Sequence, residues 1–341
     1  MVDDFKNKLL GEADRESRRR TALVTGSVAL GALATSSLFR KLRNLKLCAP
    51  QQLPLAIDAK ASEMEFMEGS ARFYQRDGSG VPIVLLHSIN AAASSYEMKP
   101  IFDHLAERTT RPIYALDWLG FGRSDRPPVY YSPMLYQRQL RRFLSEHVRQ
   151  PADIISLSLS CEYTAELARS LPYLVHKLVF ISPTGVSNSD GISKWQRALV
   201  AAAGSVGAFE IFFYRLTRPE MMRSFFQRQV FVRGRVPDDF INYARATTLV
   251  HGAYHAPRYF TQGRLTNGRA ALQAYVQLQV PTLVIVPQSD EALIQHFDRA
   301  GDLAAGNPEF IQLERIDTGL MPQWESPQDL FSVLDEFLIA E

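Results

Sequence analysis

Short β-rich apolar runs, separated by helical stretches, constrain this chain more than any other feature. They fall at 83–86, 113–116, 154–157, 178–181, 283–286 and 310–316. Most are apolar along their whole length, the pattern of strands buried on both faces rather than one. Between them Tyr136, Leu140, Phe143, Leu144 and Val148 recur with a helical period. Near the C-terminus Leu330, Val333, Leu334, Phe337 and Leu338 do the same, behind Ser326 as N-cap and Pro327 as first helical residue. Buried strands alternating with amphipathic helices predict an α/β architecture, a mostly parallel central sheet with helices on both faces.

The alternation breaks between about 186 and 267, where the sequence turns helical and aromatic. Phe209, Phe212, Phe213, Tyr214, Phe225, Phe226 and Phe231 lie in this stretch. An all-helical insertion between two strands of such a sheet predicts a cap over the edge where α/β sheets bind ligands. The aromatic residues form either the core of that cap or a lining that faces an acyl chain or lipid.

The other strong feature is N-terminal. Residues 21–39 are 19 uncharged residues between Arg18-Arg19-Arg20 and Arg40-Lys41, just long enough to cross a hydrocarbon core. Six of them are Ser or Thr, so the run is only moderately apolar. A single-pass membrane anchor, a cleaved export signal and a surface-lying helix all fit it. Residues 1–50 hold ten Lys/Arg against five Asp/Glu although the whole chain is only +2. The basic excess therefore flanks this run, and nothing global points to a nucleic-acid partner. The expected organisation is a basic tail over 1–20, a transmembrane helix over 21–39, a linker over 40–60 and one domain over 61–341. Cys48 and Cys161, the only cysteines, are read as free thiols.

Four segments, in order and spacing, resemble the α/β-hydrolase superfamily. Val81-Pro-Ile-Val-Leu-Leu-His87 resembles the strand leading to its oxyanion turn. Asp117-Trp-Leu-Gly-Phe-Gly-Arg-Ser-Asp-Arg-Pro127 is similar to its D-x-x-G-x-G-x-S segment. Asp153-Ile-Ile-Ser-Leu-Ser-Leu-Ser-Cys161 occupies the place of its nucleophile elbow, and Val280-Pro-Thr-Leu-Val-Ile-Val-Pro-Gln-Ser-Asp290 that of its acid-bearing strand. The resemblance implies a serine nucleophile, an acid and a histidine in that chain order, with an oxyanion hole of backbone N–H groups.

Ser158 stands at the nucleophile position, between a strand and a helix expected from Ser160. The elbow motif G-x-S-x-G reads Ser156-Leu-Ser158-Leu-Ser160 here, and Ser88 replaces a third glycine. The oxyanion donors implied are the N–H groups of Leu159 and Ile89. Asp290 takes the acid position, or else caps a helix expected from Glu291. The family's closing G-x-G-H-x-P-x-x-E-x-P becomes Asp317-Thr-Gly319-Leu320-Met-Pro322-Gln-Trp-Glu325-Ser-Pro327, so the histidine column holds Leu320. Leucine cannot take a proton, and triad members act as a unit.

Other histidines offer weak substitutes. His87 reads as a turn residue. His251 and His255 sit in the cap at i, i+4, but no carboxylate or cysteine completes a metal set. His296 is expected on the helix after Asp290, and His104, His147 and His176 on helices or their ends. No cofactor or metal is implied. Three functions follow: a membrane-associated ligand-binding or scaffolding protein that has lost hydrolysis, a divergent serine hydrolase of apolar esters using Ser158, and, more weakly, a cofactor-free lyase or isomerase. The expected partners are a small apolar ligand or ester and the membrane itself.

Overall fold

The computed structural model describes residues 53–187 and 208–339. Eight strands form one sheet: β1 (Lys60–Phe66), β2 (Gly69–Arg76), β3 (Ile83–Leu86), β4 (Ile113–Leu116), β5 (Ala152–Leu157), β6 (Val175–Ile181), β7 (Thr282–Pro287) and β8 (Ile311–Ile316). Their spatial order is β1-β2-β4-β3-β5-β6-β7-β8. β1 and β2 pair antiparallel, β2 meets β4 antiparallel, and every later pairing is parallel. β3, β5 and β7 are buried at every position, as their continuous apolar runs require.

The helices are α1 (Lys99–Arg108), α2 (Pro133–Phe143), α3 (Ser160–Ser170), α4 (Ala208–Leu216), α5 (Pro219–Gln229), α6 (Asp238–Thr248), α7 (His255–Thr261), α8 (Arg269–Val276), α9 (Ala300–Gly306), the single turn α10 (Pro322–Glu325) and α11 (Pro327–Leu338). α1 packs with α10 and α11, while α2, α3, α8 and α9 pack in sequence as a second group. α11 begins with Pro327 and buries Leu330, Leu334 and Leu338 along one stripe. Ser326 occupies its N-cap without a side-chain bond, whereas Ser132 Oγ accepts the Leu135 N–H at the start of α2.

Helices α4 to α7 lie between β6 and β7 in the chain and form the described part of the expected insertion. α8, just beyond it, packs on α3.

Three expectations need correction. The apolar runs do not predict strands β1 and β2, because neither is continuously apolar: in β1 Met64 and Phe66 are buried while Glu63 and Glu65 are not, and in β2 Arg72 separates buried Ser70-Ala71 from buried Phe73-Tyr74. The linker ends early: Leu53, Ala56 and Ile57 are buried in the core, Ala56 N–H donates to Tyr74 Oη, and Tyr243 Oη donates to Pro54 O. The helix expected from Glu291 does not form. Residues 291–299 turn irregularly, because Ile294 N–H donates to Gln229 O in the cap and Gln295 Nε2 donates to the carbonyls of Ser182 and Pro183. Those tertiary bonds replace a helical ladder. The basic tail, the 21–39 segment, residues 40–52 and Cys48 lie outside the described residues. Among the described residues no helix is long and apolar enough to cross a membrane.

Candidate active site

Ser158 follows β5 directly and precedes α3, with φ at +55°. A side chain pays for that left-handed conformation with steric strain, so surrounding bonds must hold it. They do: Ser158 N–H donates to Ile181 O at 2.9 Å, and its carbonyl accepts the Cys161 N–H at 3.1 Å. The two serines that replace elbow glycines are buried and bonded. Ser156 Oγ pairs with Thr164 Oγ1 at 2.7 Å. Ser160 Oγ donates to His87 O at 2.5 Å and accepts from Trp118 Nε1 at 2.9 Å. Their hydroxyls thus bond within the packing around the elbow, and the second ties it to the turn after β3.

That turn holds Ile89. β3 and β5 are adjacent, Leu86 opposite Ser156, so Ile89 and Leu159 follow neighbouring strand ends. Among the described residues, neither N–H has a hydrogen-bond partner, as an oxyanion site requires. Glu97, fully buried, organises the turn. Its carboxyl accepts the Ser88 N–H at 2.9 Å, Ser88 Oγ at 3.0 Å and Asn90 Nδ2 at 3.0 Å. Burial nevertheless dominates and pushes this carboxyl up to about 7. His87 is the reverse case. It is buried beside Asp117, Nδ1 bonds to Ser88 O, Nε2 accepts the Trp118 N–H, and burial pushes the imidazole down to about 4. It is a neutral structural group, already committed at both nitrogens.

The D-x-x-G-x-G-x-S segment wraps its own aspartate. Asp117 Oδ1 accepts the Ser95 N–H and Oδ2 the Arg123 N–H. Gly122 has φ at +50°, and a Cβ there would sit 2.1 Å from the Asp117 carboxylate, so only glycine fits. Arg126, from the same segment, donates to Gly122 O and to Thr247 O of α6, joining this loop to the cap.

Asp290 follows β7, two strands along from β5 at the same sheet edge. Its Oδ2 accepts the Phe297 N–H at 2.5 Å, closing a loop rather than capping a helix. That loop carries His296, whose Nδ1 lies 3.8 Å from Asp290 Oδ1. Leu320 follows β8, one strand further. It is 9% exposed, belongs to the main core cluster, and its N–H donates to Val230 O at 2.8 Å. The cap closes tightly here. Glu325 accepts N–H bonds from Val232, Arg233 and Gly319, and a Cβ on Gly319 would lie 2.1 Å from Val230 O. The three positions therefore share one edge, with an aliphatic side chain in the third.

His255, His104, His147 and His176 are engaged elsewhere, and His251 is exposed. His255 Nδ1 bonds to Arg126 O at 2.9 Å. Gly252 takes φ at +76° and α7 starts only at His255, so the His251/His255 spacing does not fall on one helix. His104 bonds to Asp335 and stacks on Phe331. His147 sits against Phe73 and Phe143. His176 lies on β6, not on a helix, and bonds to Asp153. Cys161 is a free, buried thiol.

A model of the alpha/beta hydrolase family matches residues 83–333, from β3 into the last helix. The chain belongs to the alpha/beta hydrolase family. Among curated proteins, this hydrolase-family chain is 29% identical over 153 residues to an uncharacterized protein of Mycobacterium tuberculosis (strain ATCC 25618 / H37Rv), covering 45% of this chain and 41% of that one. It is 33% identical over 134 residues to the mesoderm-specific transcript homolog protein of Homo sapiens, covering 38% and 39%. The chain thus spans about two fifths of the curated relatives it matches. Among solved structures it is similar to a probable hydrolytic enzyme of Pseudomonas aeruginosa PAO1, with TM-score 0.67, 19% identity, and coverage of 83% of this chain and 96% of that one. A carboxylesterase of Bacillus subtilis gives TM-score 0.62 at 16% identity, covering 84% and 93%. At such identities the structural likeness shows the fold alone.

Sequence reasoning missed two buried carboxylates of this alpha/beta hydrolase fold. Glu97 sits in a polar stretch, Ser-Ser-Tyr-Glu, that reads as exposed. Glu162, in the first turn of α3, is also buried: it accepts Thr184 Oγ1 on one side of the cap, and Thr266 Oγ1 and the Asn267 N–H (2.6 Å) on the other. Only the tertiary fold brings those donors together, so no local signal marks either carboxylate.

Proposed function

We propose that this protein is a membrane-associated member of the alpha/beta hydrolase family that binds a small apolar ligand beneath its cap without standard ester hydrolysis. The observation that carries this reading is Leu320. The residue in the histidine column is buried, aliphatic and fastened by its backbone to the cap at Val230. Ser158 keeps the strained turn of a nucleophile and Asp290 stands at the same edge, yet no group beside them at Leu320 can take the serine proton. The retained elbow and the amides of Ile89 and Leu159, without partners among the described residues, supply a polar end for such a ligand. The basic-flanked run over 21–39 supports the membrane side of the reading.

Fluorophosphonate labelling of the full chain tests it. The wild type is expected to remain unlabelled, and Leu320→His to gain labelling that Ser158→Ala removes. Wild-type ester turnover that vanishes in Ser158→Ala would sink the proposal. A second reading rests on His296, the one described histidine beside Asp290. Under it the protein is a divergent serine hydrolase with a relocated base, and His296→Ala abolishes a wild-type activity toward short p-nitrophenyl esters.

A further inference from the structure

The cap exposes large apolar side chains at helical spacing along α4 and α5. Phe212 and Leu216 are i, i+4 neighbours on α4, and Met221 and Phe225 repeat that spacing on α5, which packs against α4. Ile294, whose N–H donates to the carbonyl of Gln229 at the end of α5, is exposed as well. All five are between 42% and 57% exposed, although each helix buries a different face: Phe209 and Phe213 on α4, Met222 and Phe226 on α5. The cap's own core is thus built from one set of aromatic residues, and a second set points outward. Large side chains left in water at regular helical spacing mark an interaction surface rather than scattered exposure.

The charges beside the stripe say what it meets. Residues 208–235 hold six arginines and two glutamates. Arg223 pairs with Asp238, Arg235 lies 3.6 Å from the same carboxylate, and Arg233 pairs with Asp317. Arg215, Arg218 and Arg228 have no acidic partner among the described residues and stand exposed next to the stripe. An apolar helix face bordered by unpaired arginines fits the interface of an anionic bilayer, with the rings at the acyl boundary and the guanidinium groups among the phosphates.

We infer that the α4–α5 face of the cap rests on an anionic lipid bilayer. The inference rests on the membrane reading above. It adds a second point of attachment.

The experiment uses the full chain in a Cys48→Ser background, with an environment-sensitive fluorophore on Phe225→Cys. A control carries the label on Tyr173→Cys, which is exposed beside the start of β6, at the opposite sheet edge. Vesicles are phosphatidylglycerol/phosphatidylcholine mixtures or phosphatidylcholine alone, with nitroxide-labelled acyl chains as quencher. On the anionic vesicles the Phe225 label shifts to the blue and is quenched, and the Tyr173 label is not. Replacing Arg215, Arg218 and Arg228 together by glutamine lowers that quenching to the level seen on phosphatidylcholine, with the melting transition retained. Flotation separates the two failures. A chain that fails to float with vesicles overturns both the membrane reading and the docking. A chain that floats while its Phe225 label stays in water overturns the docking alone. A blue shift without lipid that grows with protein concentration assigns the face to a second copy and overturns it too. A label already dry without lipid, at every concentration, shows that the chain covers its own stripe, and the docking is again overturned.

Discussion

Glu97 and His87 lie within one turn of each other in the fold and titrate in opposite senses. Glu97 has its native value raised to about 7, so the folded state holds a proton that the unfolded state has already released. Its contribution is complete below the ordinary carboxylate range and is lost as pH rises toward 7. His87 has its native value lowered to about 4, so its contribution is complete above 6.5 and is lost as pH falls toward 4. Between about 4.5 and 6.5 the two slopes oppose each other. Glu97→Gln removes one of them, so thermal unfolding from pH 4.5 to 7.5 should show the variant gaining stability relative to wild type as pH rises, by roughly 3 kcal/mol at most. A constant difference across that range contradicts the assignment. Leu320→His is expected to cost about 1–3 kcal/mol, because an incompletely bonded imidazole replaces a packed leucine. Denaturant titration checks it. At this scale the sequence is informative where chemistry depends on chain order. Ser158, Asp290 and Leu320 can be located from strand ends and motif register, whereas Glu97 cannot, since its donors Ser88 and Asn90 lie across a turn.

Elements form as expected where local pattern and tertiary bonding agree, and depart from expectation where they do not. α2 and α11 follow their apolar stripes. The segment after Asp290, Glu-Ala-Leu-Ile-Gln-His-Phe, has helical composition yet remains irregular, held by bonds to Gln229, Ser182 and Pro183. Those partners are 65 to 113 residues away and invisible to a window of sequence. β1 is hidden for another reason: an edge strand with one wet face alternates, and its polar half dilutes the apolar signal. The junction between cap and last strand depends on Glu325, whose carboxyl accepts three backbone N–H groups. Glu325→Ala is expected to cost about 2–4 kcal/mol by leaving those donors without a charged acceptor. Limited proteolysis should then open the chain near 230–235 well before global unfolding; unchanged protection there would show that the junction is held by packing instead.

At the scale of the whole molecule, the described residues from Leu53 on build a continuous core among themselves, so removal of residues 1–50 is expected to leave a chain with the same cooperative melt and circular dichroism. Loss of the transition in that truncation would place the N-terminal segment within the folding unit. The fold as a whole is readable because a parallel sheet demands long apolar strands and covering helices, and that demand is written along most of the chain. Glu162 has a consequence of another kind. One carboxylate on the helix behind Ser158 receives the last described stretch before the cap, through Thr184, and the first stretch after it, through Thr266 and Asn267. The two flanking stretches therefore meet at one carboxylate. Their release is expected to be coupled, so that the amides of α4 through α7 exchange with deuterium in one correlated event. Glu162→Gln, which keeps the shape but weakens the acceptor, should speed that event while leaving the exchange of β3, β5 and β7 where it was.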